Sequence, residues 1–570
     1  MGKKIWLKQY PPEIPDTLEY RKVPIHEGLI QTASEFPDRS SIHFMGREMN
    51  FAALLVDVRK LAAYLQSLGI RKGDRVAVML PNIPQAVISY YGILLAGGTV
   101  VQTNPTYTER ELEYQMKDSG AKAIITLNLL YPKVSKILKM TDLENVIVTA
   151  VKDALPFPKN LLYPIIEKKK QGMIVSVKHG HNVHLLSKVL KQPAGSLVQY
   201  AYDIEEDIAL LQYTGGTTGF PKGVMLTHKN LTANAAMCRA WLYKSKRGAE
   251  VVLGLLPFFH VYGMTAVMIL SVMEGHKMVL LPKFDTEATL KTIQKLRPTL
   301  FPGAPTIYIG LLNHPELEKY DLSSIDSCIS GSAPLPQEVQ QKFEQVTGGK
   351  LVEGYGLTES SPVTHANFLW GQKRVPGSIG VPWPDTDSAV FSLETGEELP
   401  PGEIGEIAVK GPQVMKGYWK RPEETEQVLR DGWLYTGDLG YMDEDGFFYV
   451  VDRKKDMIIA GGFNIYPREV EEVLYEHPAV QEAVIAGVPD PYRGETVKAY
   501  IVFKAGMSAT EEELNAFTRK HLAGYKVPRL YEFRSELPKT AVGKILRRAL
   551  VNEEKVRSKA AAENADIDSA

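Results

Sequence analysis

The sequence predicts an α/β protein: a large N-terminal domain of parallel-type sheets, a β-rich subdomain and a small C-terminal α+β domain. Helical patterns alternate with short apolar runs over residues 25–150 and again from 251 to 330, and such alternation builds parallel sheets. After residue 388 the pattern changes to β segments punctuated by Gly and Pro. The 570 residues also exceed what one hydrophobic core holds, so more than one domain is expected.

The N-terminal elements follow from hydrophobic periodicity. Residues 51–65 have the apolar spacing of a helix. The runs 76–80, 123–126 and 207–212 are short and apolar, which is typical of buried strands. These segments predict the helices and strands of a doubly covered sheet.

The longest apolar stretch, residues 251–273, is long enough to span a bilayer. Gly254, Pro257, His260 and Gly263 interrupt it, so we interpret it as a strand, a loop and a buried helix.

The C-terminal region predicts a separate small domain. We place its border at the charged segment 452–456, which divides the chain into residues 1–452, a mobile domain over 453–550 and a frayed polar tail over 551–570. The predicted elements are strands over 405–410, 446–452, 482–486 and 497–503, and a helix near 468–475.

Composition excludes several functional classes. The net charge of −1 provides no global attraction to nucleic acid. Two cysteines make a disulfide scaffold or a cysteine zinc site implausible. The basic N-terminus is followed by prolines instead of an apolar region, so we expect no secretory signal and a cytoplasmic location.

One basic segment, residues 159–191, has seven lysines and three histidines against one glutamate. Apolar residues interleave with these charges. The pattern allows peripheral contact with the inner face of a membrane, or contact with a partner. A solvated surface insertion is the favoured interpretation.

The run Tyr213-Thr-Gly-Gly-Thr-Thr-Gly-Phe-Pro-Lys-Gly-Val224 carries the strongest functional signal. Glycines let a backbone approach an anion closely, and threonine hydroxyls and N–H groups supply hydrogen bonds. Lys222 adds a charge suited to phosphate. The run lacks the Gly-Lys-Ser/Thr of a Walker loop. It predicts a nucleotide-phosphate loop after a buried strand.

Three later motifs are ambiguous when each is taken alone. Gly354-Tyr-Gly-Leu-Thr-Glu359 offers a ring for a base and a carboxylate for Mg²⁺, or is a turn with a helix N-terminal acid. Asp438 is predicted to lie in a tight turn. There it is either a ribose ligand or an ordinary turn residue. Lys544 follows a glycine turn at the start of a basic helical pattern and would usually be a solvated charge.

Together these motifs, with 452–456 and 538–544, occur in the order found in one family. The chain resembles the acyl-adenylate-forming enzymes, which include acyl-CoA synthetases, adenylation domains of peptide synthetases and luciferases. The resemblance covers roughly residues 25–550. Residues 431–457 are similar to the fatty acyl-CoA synthetase signature. Gly215 stands where many relatives have serine. In this departure the chain is similar to bacterial long-chain fatty acyl-CoA ligases.

The resemblance implies a ligase for which fatty acid, ATP and coenzyme A are substrates and Mg²⁺ is the cofactor. It implies that the triphosphate is held by Thr214, Gly215, Gly216, Thr217, Thr218, Gly219 and Lys222. It places the nucleoside and α-phosphate at Gly354, Tyr355, Gly356, Thr358, Asp438 and Arg453. It assigns Mg²⁺ to Glu359, with Thr214 at the metal-bound phosphates.

The resemblance also implies that Lys544 stabilises charge during adenylation. Lys455 matches the hinge about which the small domain swings, presenting Gly461 and Gly462 to pantetheine. His260 falls where relatives place a histidine beside the acyl pocket, although a lone histidine is often a core residue. Met264 matches the position at which some long-chain relatives have a gating tryptophan.

Three alternatives stay open at this point. The substrate could be a medium-chain or aryl acid. A carrier-protein-loading adenylation enzyme is disfavoured because no phosphopantetheine-type serine motif follows the small domain. A non-catalytic acyl-nucleotide-binding protein is disfavoured because every charged motif residue is present. A homodimer is left open.

Overall fold

The structure, a computed structural model, describes residues 4–163, 165, 175–214, 221–371, 373–460, 463–490, 493–540, 545–554 and 556–557. These residues form two compact units. The first holds the chain up to Ser388 together with Val409–Leu434, and the second holds Ala389–Ala408 and the chain from Tyr435 onward. The predicted border after residue 452 falls inside the second unit, and as the position of a hinge it stays a prediction.

The strands, in chain order, are β1 (Ser40–Phe44), β2 (Arg47–Asn50), β3 (Arg75–Met79), β4 (Thr99–Gln102), β5 (Ala123–Leu127), β6 (Asn145–Thr149), β7 (Val183–Leu185), β8 (Ile208–Thr214), β9 (Lys222–Thr227), β10 (Val251–Gly254), β11 (Lys277–Leu280), β12 (Ser327–Ser330), β13 (Lys350–Gly356), β14 (Val363–Ala366), β15 (Val381–Pro382), β16 (Asp387–Phe391), β17 (Gly405–Lys410), β18 (Gly417–Tyr418), β19 (Leu429–Arg430), β20 (Trp433–Met442), β21 (Phe448–Arg453), β22 (Ile458–Ala460), β23 (Phe463–Ile465), β24 (Val480–Asp490), β25 (Gly494–Phe503) and β26 (Leu530–Phe533).

The α-helices for which both ends are described are α1 (Ile25–Glu35), α2 (Phe51–Ser67), α3 (Pro84–Leu95), α4 (Glu109–Ser119), α5 (Tyr131–Ile137), α6 (Leu186–Val189), α7 (His228–Trp241), α8 (Leu270–Glu274), α9 (Thr286–Leu296), α10 (Pro305–Leu312), α11 (Gln337–Thr347), α12 (Pro422–Val428), α13 (Pro467–Tyr475) and α14 (Glu511–His521).

The largest sheet of the first unit has the order β18-β9-β8-β4-β3-β5-β6-β7. From β8 to β7 all neighbouring strands are parallel, whereas β9 and β18 are added antiparallel at one edge. The prediction of a mainly parallel α/β fold is therefore confirmed. Strand β5 is buried along its whole length, as expected for a sheet with both faces covered.

Two further sheets belong to the first unit. One has the order β10-β11-β1-β2 and the other β12-β13-β14-β15. Parallel bridges through Leu300 join β10 to β12. Phe301, Tyr308 and Phe343 are fully buried beside them. The junction of these two sheets carries residues around the candidate acyl pocket.

Local sequence explains where the helices begin and end. Asn50 caps α2 by accepting a hydrogen bond from the Ala53 N–H, which satisfies a donor that the helix leaves unpaired. Thr108 and Glu111 form a reciprocal capping box at the start of α4, and Gly120 ends that helix in the left-handed conformation.

The β-rich part of the chain forms a sheet of order β16-β17-β20-β19, with β21 paired to β20. A second sheet, of order β23-β22-β25-β24 with β26 on β25, lies in the second unit. Strands β24 and β25 extend beyond the predicted limits 482–486 and 497–503 because they pair antiparallel along their whole lengths. Helix α13 confirms the predicted helix near 468–475.

Two interpretations need correction. The basic segment 159–191 is not wholly a surface insertion, because β7 within it is an edge strand of the largest sheet and Leu186 is fully buried. The prediction of a frayed tail is wrong for residues 551–554, which are helical. Glu554 of this helix forms a 2.7 Å ion pair with Lys498, so side-chain contacts dock residues that look featureless in sequence.

Residues 251–273 form β10, a loop, a π-helical turn over Gly263–Ile269 and α8, which confirms the strand–loop–helix interpretation. Among the residues that the structure describes, no helix combines the length and apolarity needed to cross a membrane.

Candidate active site

The predicted phosphate loop lies in a β-hairpin. Strand β8 ends at Thr214, β9 begins at Lys222, and these two residues are cross-strand partners. Because β8 is parallel to β4, Thr214 lies at the carboxyl edge of the parallel sheet, where ligands bind in such folds. The structure therefore fixes both ends of the loop. Outside the described residues lie the predicted phosphate ligands Gly215, Gly216, Thr217, Thr218 and Gly219.

Lys222 is largely buried, and its charge already has a counter-ion. Its side chain is 16% exposed and forms an ion pair with Glu424 of α12. The same ammonium group lies 5.0 Å from the centroid of the Tyr418 ring, within the range of a cation–π contact. The predicted phosphate cation is thus held between a carboxylate and an aromatic face.

Tyr418 connects this lysine to the predicted magnesium ligand. Its hydroxyl donates a 2.8 Å hydrogen bond to Oε1 of Glu359. Burial and the neighbouring Glu359 charge raise the pKa of Tyr418 well above its usual value, so the hydroxyl stays protonated and keeps donating. Glu359 lies in a short helical turn, Thr358–Ser360, after β13. One phenol therefore links the lysine and the carboxylate.

A second layer of charges supports this arrangement. Arg421 forms a 3.0 Å ion pair with Asp118 at the end of α4 and lies 3.6 Å from Glu424. Asp118 also accepts a 2.7 Å hydrogen bond from the Tyr213 hydroxyl. Tyr213 immediately precedes Thr214, so this network holds the base of the hairpin from outside.

The glycines of the 354–356 motif are required by strand packing. A Cβ atom on Gly356 would lie 2.0 Å from the Pro362 carbonyl oxygen, and one on Gly354 would lie 2.7 Å from Ile329. Tyr355 between them is half-buried. The close approach of β13 to its neighbours explains these glycines, and contact of the motif with adenine stays a prediction.

Asp438 lies within strand β20, so the prediction of a tight turn is wrong. Pairing with β21 supplies the backbone hydrogen bonds that a turn would otherwise provide, and Arg453 is the direct cross-strand partner of Asp438. The Arg453 Nε atom lies 3.2 Å from Asp438 Oδ1. The structure thus brings the two predicted ribose ligands together.

The other predicted residues of the second unit are only partly described. Lys455 follows β21 in a turn, and its burial, with the nearby Arg453 charge, lowers the pKa of its ammonium group. Lys544 and the glycines Gly461 and Gly462 lie outside the described residues, so their assigned roles stay predictions.

His260 immediately precedes the helical segment that borders an apolar cavity. His260 is half-buried and its Nδ1 atom accepts a hydrogen bond from the Tyr262 N–H. Met264 is fully buried in the π-helical turn, a distortion that often occurs at functional sites. The residues lining the cavity are Cys238, Leu242, Tyr262, Ala266, Leu270, Leu300, Pro302, Ser327, Ile329, Val363 and Trp383.

The donor set at Glu359 is compatible with magnesium that arrives with ATP. No group of three or more His, Cys, Asp or Glu residues is arranged to hold a metal anywhere in the described ranges. Mg²⁺ usually keeps several waters and is bound by one or two carboxylates plus substrate phosphates. Glu359 supplies such a carboxylate, already oriented by Tyr418.

Sequence reasoning missed Tyr418, Arg421 and Glu424. They belong to Gly417-Tyr-Trp-Lys-Arg-Pro-Glu-Glu-Thr425, which reads as an ordinary helix start with Pro at the first position and acids in the first turn. Only the pairing of β18 with β9, which sets Tyr418 opposite Val224, brings this run to the hairpin.

Comparison with known families matches both parts of the chain. Residues 29–419 match the family described as AMP-binding enzyme, and residues 469–544 match the AMP-binding enzyme C-terminal domain.

Characterised relatives extend this match to nearly the whole chain. A long-chain-fatty-acid–CoA ligase of Bacillus subtilis (strain 168) is 63% identical over 97% of this chain and 98% of its own length. An enzyme of the same name from Escherichia coli O6:H1 is 41% identical over 97% and 98% of the two chains.

Two solved structures share the fold. The anthranilate CoA ligase AuaEII in complex with anthranoyl-AMP superposes with a TM-score of 0.83 at 28% identity, covering 95% of this chain and 99% of that one. ATP-bound MatB from Rhodopseudomonas palustris gives a TM-score of 0.81 at 29% identity, covering 93% and 99%.

Proposed function

Because this chain belongs to the AMP-binding enzyme family, we propose that it is a long-chain fatty acid–CoA ligase of the AMP-forming type. ATP and coenzyme A are its co-substrates, and Mg²⁺ accompanies the ATP.

The proposed reaction has two half-reactions. In the first, a carboxylate oxygen of the fatty acid attacks the α-phosphorus of ATP; the new oxygen–phosphorus bond forms as the bond to pyrophosphate breaks. In the second, the thiol sulfur of coenzyme A attacks the acyl carbon, the bond to AMP breaks, and the thiol proton is released. Positioning and charge stabilisation supply most of the catalysis in such phosphoryl chemistry.

The observation that carries the proposal is the cluster of Lys222, Tyr418 and Glu359 at the base of the hairpin. Lys222 begins β9, Glu359 lies in the helical turn after β13, and the two are joined through Tyr418. A cation and a carboxylate held this close suit one ligand that carries both phosphate oxygens and a hard divalent metal. Mg·ATP is that ligand.

We propose the residue assignments that the resemblance to the family implies. Thr214 and Lys222 hold the β- and γ-phosphates together with the loop between them. Asp438 and Arg453 bind the ribose as a cross-strand pair. Further proposed contacts are Gly354, Tyr355 and Gly356 at adenine, Thr358 at the α-phosphate, and Glu359 at Mg²⁺, which when bound neutralises phosphate charge.

The second unit supplies the remaining proposed functions. Lys544 stabilises charge on the α-phosphate and the carboxylate during adenylation. A swing about Lys455 then withdraws it and presents Gly461 and Gly462 to the pantetheine arm. Two different reactions of one carboxyl group need such an exchange of groups.

The apolar cavity is compatible with a fatty acyl chain, and the relatives named long-chain-fatty-acid–CoA ligase favour such a substrate over an aryl acid. Tyr262 and Ala266 form one side of it, next to His260 in sequence. Its lining is almost entirely apolar, as a hydrocarbon chain requires. We propose that the carboxyl end of the acid lies near His260 and that the chain extends along Ala266 toward Cys238.

The deciding experiment is carboxylate-dependent exchange between ATP and pyrophosphate over a series of acids: hexanoate, decanoate, palmitate and benzoate. We expect palmitate to give the highest kcat/KM, and AMP release to depend on coenzyme A. The variant Ala266→Trp narrows the cavity, so we expect the preferred chain length of the acid to shift toward hexanoate. Val346→Trp, on the exposed surface, should leave the preferred chain length unchanged.

Highest exchange with benzoate would overturn the long-chain assignment and favour an aryl-CoA ligase. Exchange without any thioester formed from coenzyme A would favour a carrier-protein-loading enzyme. No exchange with any acid would favour an acyl-nucleotide-binding protein.

We also propose that the enzyme works in the cytoplasm and touches the inner membrane face through the start of the basic segment. Phe157, Leu161 and Ile165 are 78%, 65% and 67% exposed, and Lys159 lies among them. Exposed apolar side chains beside lysines suit a surface of anionic lipid. The oligomeric state, including the homodimer, stays a prediction.

Vesicle sedimentation tests the membrane contact. We expect the protein to sediment with phosphatidylglycerol vesicles but not with phosphatidylcholine vesicles, and the triple change of Phe157, Leu161 and Ile165 to Ser to abolish this. Leu393→Ser, at another exposed apolar residue, serves as the control. Equal sedimentation of the triple variant would exclude this surface.

A further inference from the structure

We propose that Arg547 is a positioning residue for the adenylation half-reaction, because it ties the chain segment that follows Lys544 to the segment that contains Lys455. The inference rests on the proposed function and concerns contacts within the second unit only.

Arg547 is surrounded by three carboxylates from three different elements. Its Nη1 atom lies 2.9 Å from Asp456 Oδ2 and 3.6 Å from Asp452 Oδ1, and its Nη2 atom lies 2.7 Å from Glu471 Oε1. Its side chain is 19% exposed. Asp452 ends β21, Asp456 lies in the following turn and Glu471 belongs to α13, so one guanidinium joins all three.

The carboxylates are themselves held in place. Asp452 accepts 2.7 Å hydrogen bonds from the N–H groups of Arg453 and Arg468. Glu471 accepts a 2.8 Å hydrogen bond from the Ile485 N–H in β24. Burial raises the pKa of Asp452 to about 6 even with the guanidinium beside it. Arg547 therefore docks against a rigid acidic pocket.

The segment on the other side of Arg547 is also anchored. Ile545 forms an antiparallel bridge with Lys539, which is ion-paired with Glu482 of β24. Leu550, one helical turn after Arg547, is fully buried. Lys544 lies outside the described residues, immediately before Ile545. Among the described residues that follow Lys544, Ile545 and Leu550 are therefore anchored by backbone pairing and burial, and Arg547 is anchored by charge.

The cluster has a direct consequence for the proposed swing. Asp452 and Asp456 flank Lys455, so the guanidinium contacts both sides of the proposed hinge. Rotation at Lys455 would have to open the 3.6 Å contact with Asp452 while the shorter contacts travel with Arg547. Arg547 thus holds the chain that follows Lys544 against both sides of the proposed hinge.

The test separates the two half-reactions in Arg547→Gln. A catalytic group displaced by about 1 Å loses about 100-fold in rate, so we expect ATP–pyrophosphate exchange with palmitate to fall about 100-fold in kcat. Thioester formation from supplied palmitoyl-AMP should stay within about threefold, because it does not use Lys544.

Two further variants sharpen this result. Arg547→Lys keeps the charge but loses the planar fork, so its exchange rate should fall between those of Arg547→Gln and the wild type. In a Lys544→Ala background, Arg547→Gln should cause little further loss of exchange, since both changes act on one group.

The matched control is Arg557→Gln. Arg557 also contacts carboxylates of the second unit, Glu532 and Glu554, but its side chain is 57% exposed. We expect both half-reactions of this variant to equal those of the wild type.

Hydrogen exchange provides a readout independent of activity. In Arg547→Gln, amide exchange should rise in residues 536–546 and stay unchanged in β24 and β25. Unchanged exchange in 536–546, or an equal loss of both half-reactions, would overturn the inference. Failure of the wild type to exchange pyrophosphate with any acid would instead refute the proposed function.

Discussion

The phosphate hairpin and the Asp438–Arg453 pair use the same backbone device in different electrostatic settings. Thr214 and Lys222 are cross-strand partners, as are Asp438 and Arg453. Lys222 is 16% exposed and rests in an ion pair with a helix from far along the chain. Arg453 is 43% exposed and pairs with its own strand neighbour.

This difference indicates what each pair can bind. In the proposed complex, the triphosphate replaces Glu424 as the counter-ion of Lys222, and its high charge offsets the cost of separating a largely buried ion pair. Ribose hydroxyls are neutral and can hydrogen-bond to Asp438 without displacing Arg453. The hairpin is therefore expected to act only while the triphosphate is present, whereas the Asp438–Arg453 pair acts on the nucleoside in both half-reactions.

The largest expected effect is that of Lys222→Ala. Removing a charged donor from developing phosphate charge should lower ATP–pyrophosphate exchange about 100- to 1,000-fold. Thioester formation from supplied acyl-AMP should be nearly unchanged, because that intermediate has no β- or γ-phosphate. Lys229→Ala removes an exposed ion pair with Glu205 and serves as the control. Equal loss in both half-reactions would contradict the assignment of Lys222 to the triphosphate alone.

Asp438→Ala should produce a smaller but broader loss. A hydrogen bond from a hydroxyl to a carboxylate contributes about 1.5–3 kcal/mol, so each half-reaction should lose about 10- to 100-fold in kcat/KM. Steady-state kinetics with ATP and with supplied acyl-AMP measure the two losses. A defect confined to the ATP half-reaction would show that Asp438 does not bind the ribose.

Tyr418→Phe tests the link between the lysine and Glu359. It keeps the aromatic face and removes only the 2.8 Å hydrogen bond to Glu359. We expect exchange to fall about 5- to 10-fold and the Mg²⁺ concentration for half-maximal activity to rise, as the carboxylate loses its orientation. Tyr449→Phe removes a similar 3.0 Å bond to Asp443 and should change neither quantity. An unaltered Mg²⁺ requirement would contradict the assignment.

Glu424→Gln has the smallest expected effect on rate and acts mainly on stability. The unliganded protein should lose about 1 kcal/mol of unfolding free energy, because a largely buried lysine loses its counter-ion. ATP restores a negative partner, so the rise in Tm on adding ATP should exceed that of the wild type. Thermal unfolding with and without ATP measures this. Glu423→Gln, one residue earlier, is the control. If the rise in Tm on adding ATP to Glu424→Gln is no larger than in the wild type, ATP does not replace Glu424 as the counter-ion of Lys222.

Much of the fold could be predicted because hydrophobic periodicity reports burial directly. The strands around 76–80 and 123–126, the helix over 51–65 and the helix near 468–475 all occur. The prediction for Asp438 failed because turn residues such as Gly437 also occur in strands whose partners complete the hydrogen bonding. The prediction failed for residues 551–554, which are helical, because their docking depends on ion pairs with distant residues such as Lys498.

The candidate site divides in the same way. Thr214, Lys222, Glu359, Asp438 and Arg453 were found because ordered motifs place them in one family, and family membership is confirmed by the comparisons. Tyr418, Glu424 and Arg547 were not found, since each resembles an ordinary surface residue among its sequence neighbours. Their importance depends on what lies opposite them.

Residue types and their order along the chain thus determined the α/β class and the family, and they predicted a set of groups that we propose meet the nucleotide. They did so because local periodicity and phosphate-binding chemistry are properties of short segments. Tertiary structure decided that Lys222 rests against Glu424 and Tyr418, and that Arg547 joins three carboxylates around the proposed hinge. Those contacts come from strand pairing and burial between segments far apart in sequence, which no local pattern encodes.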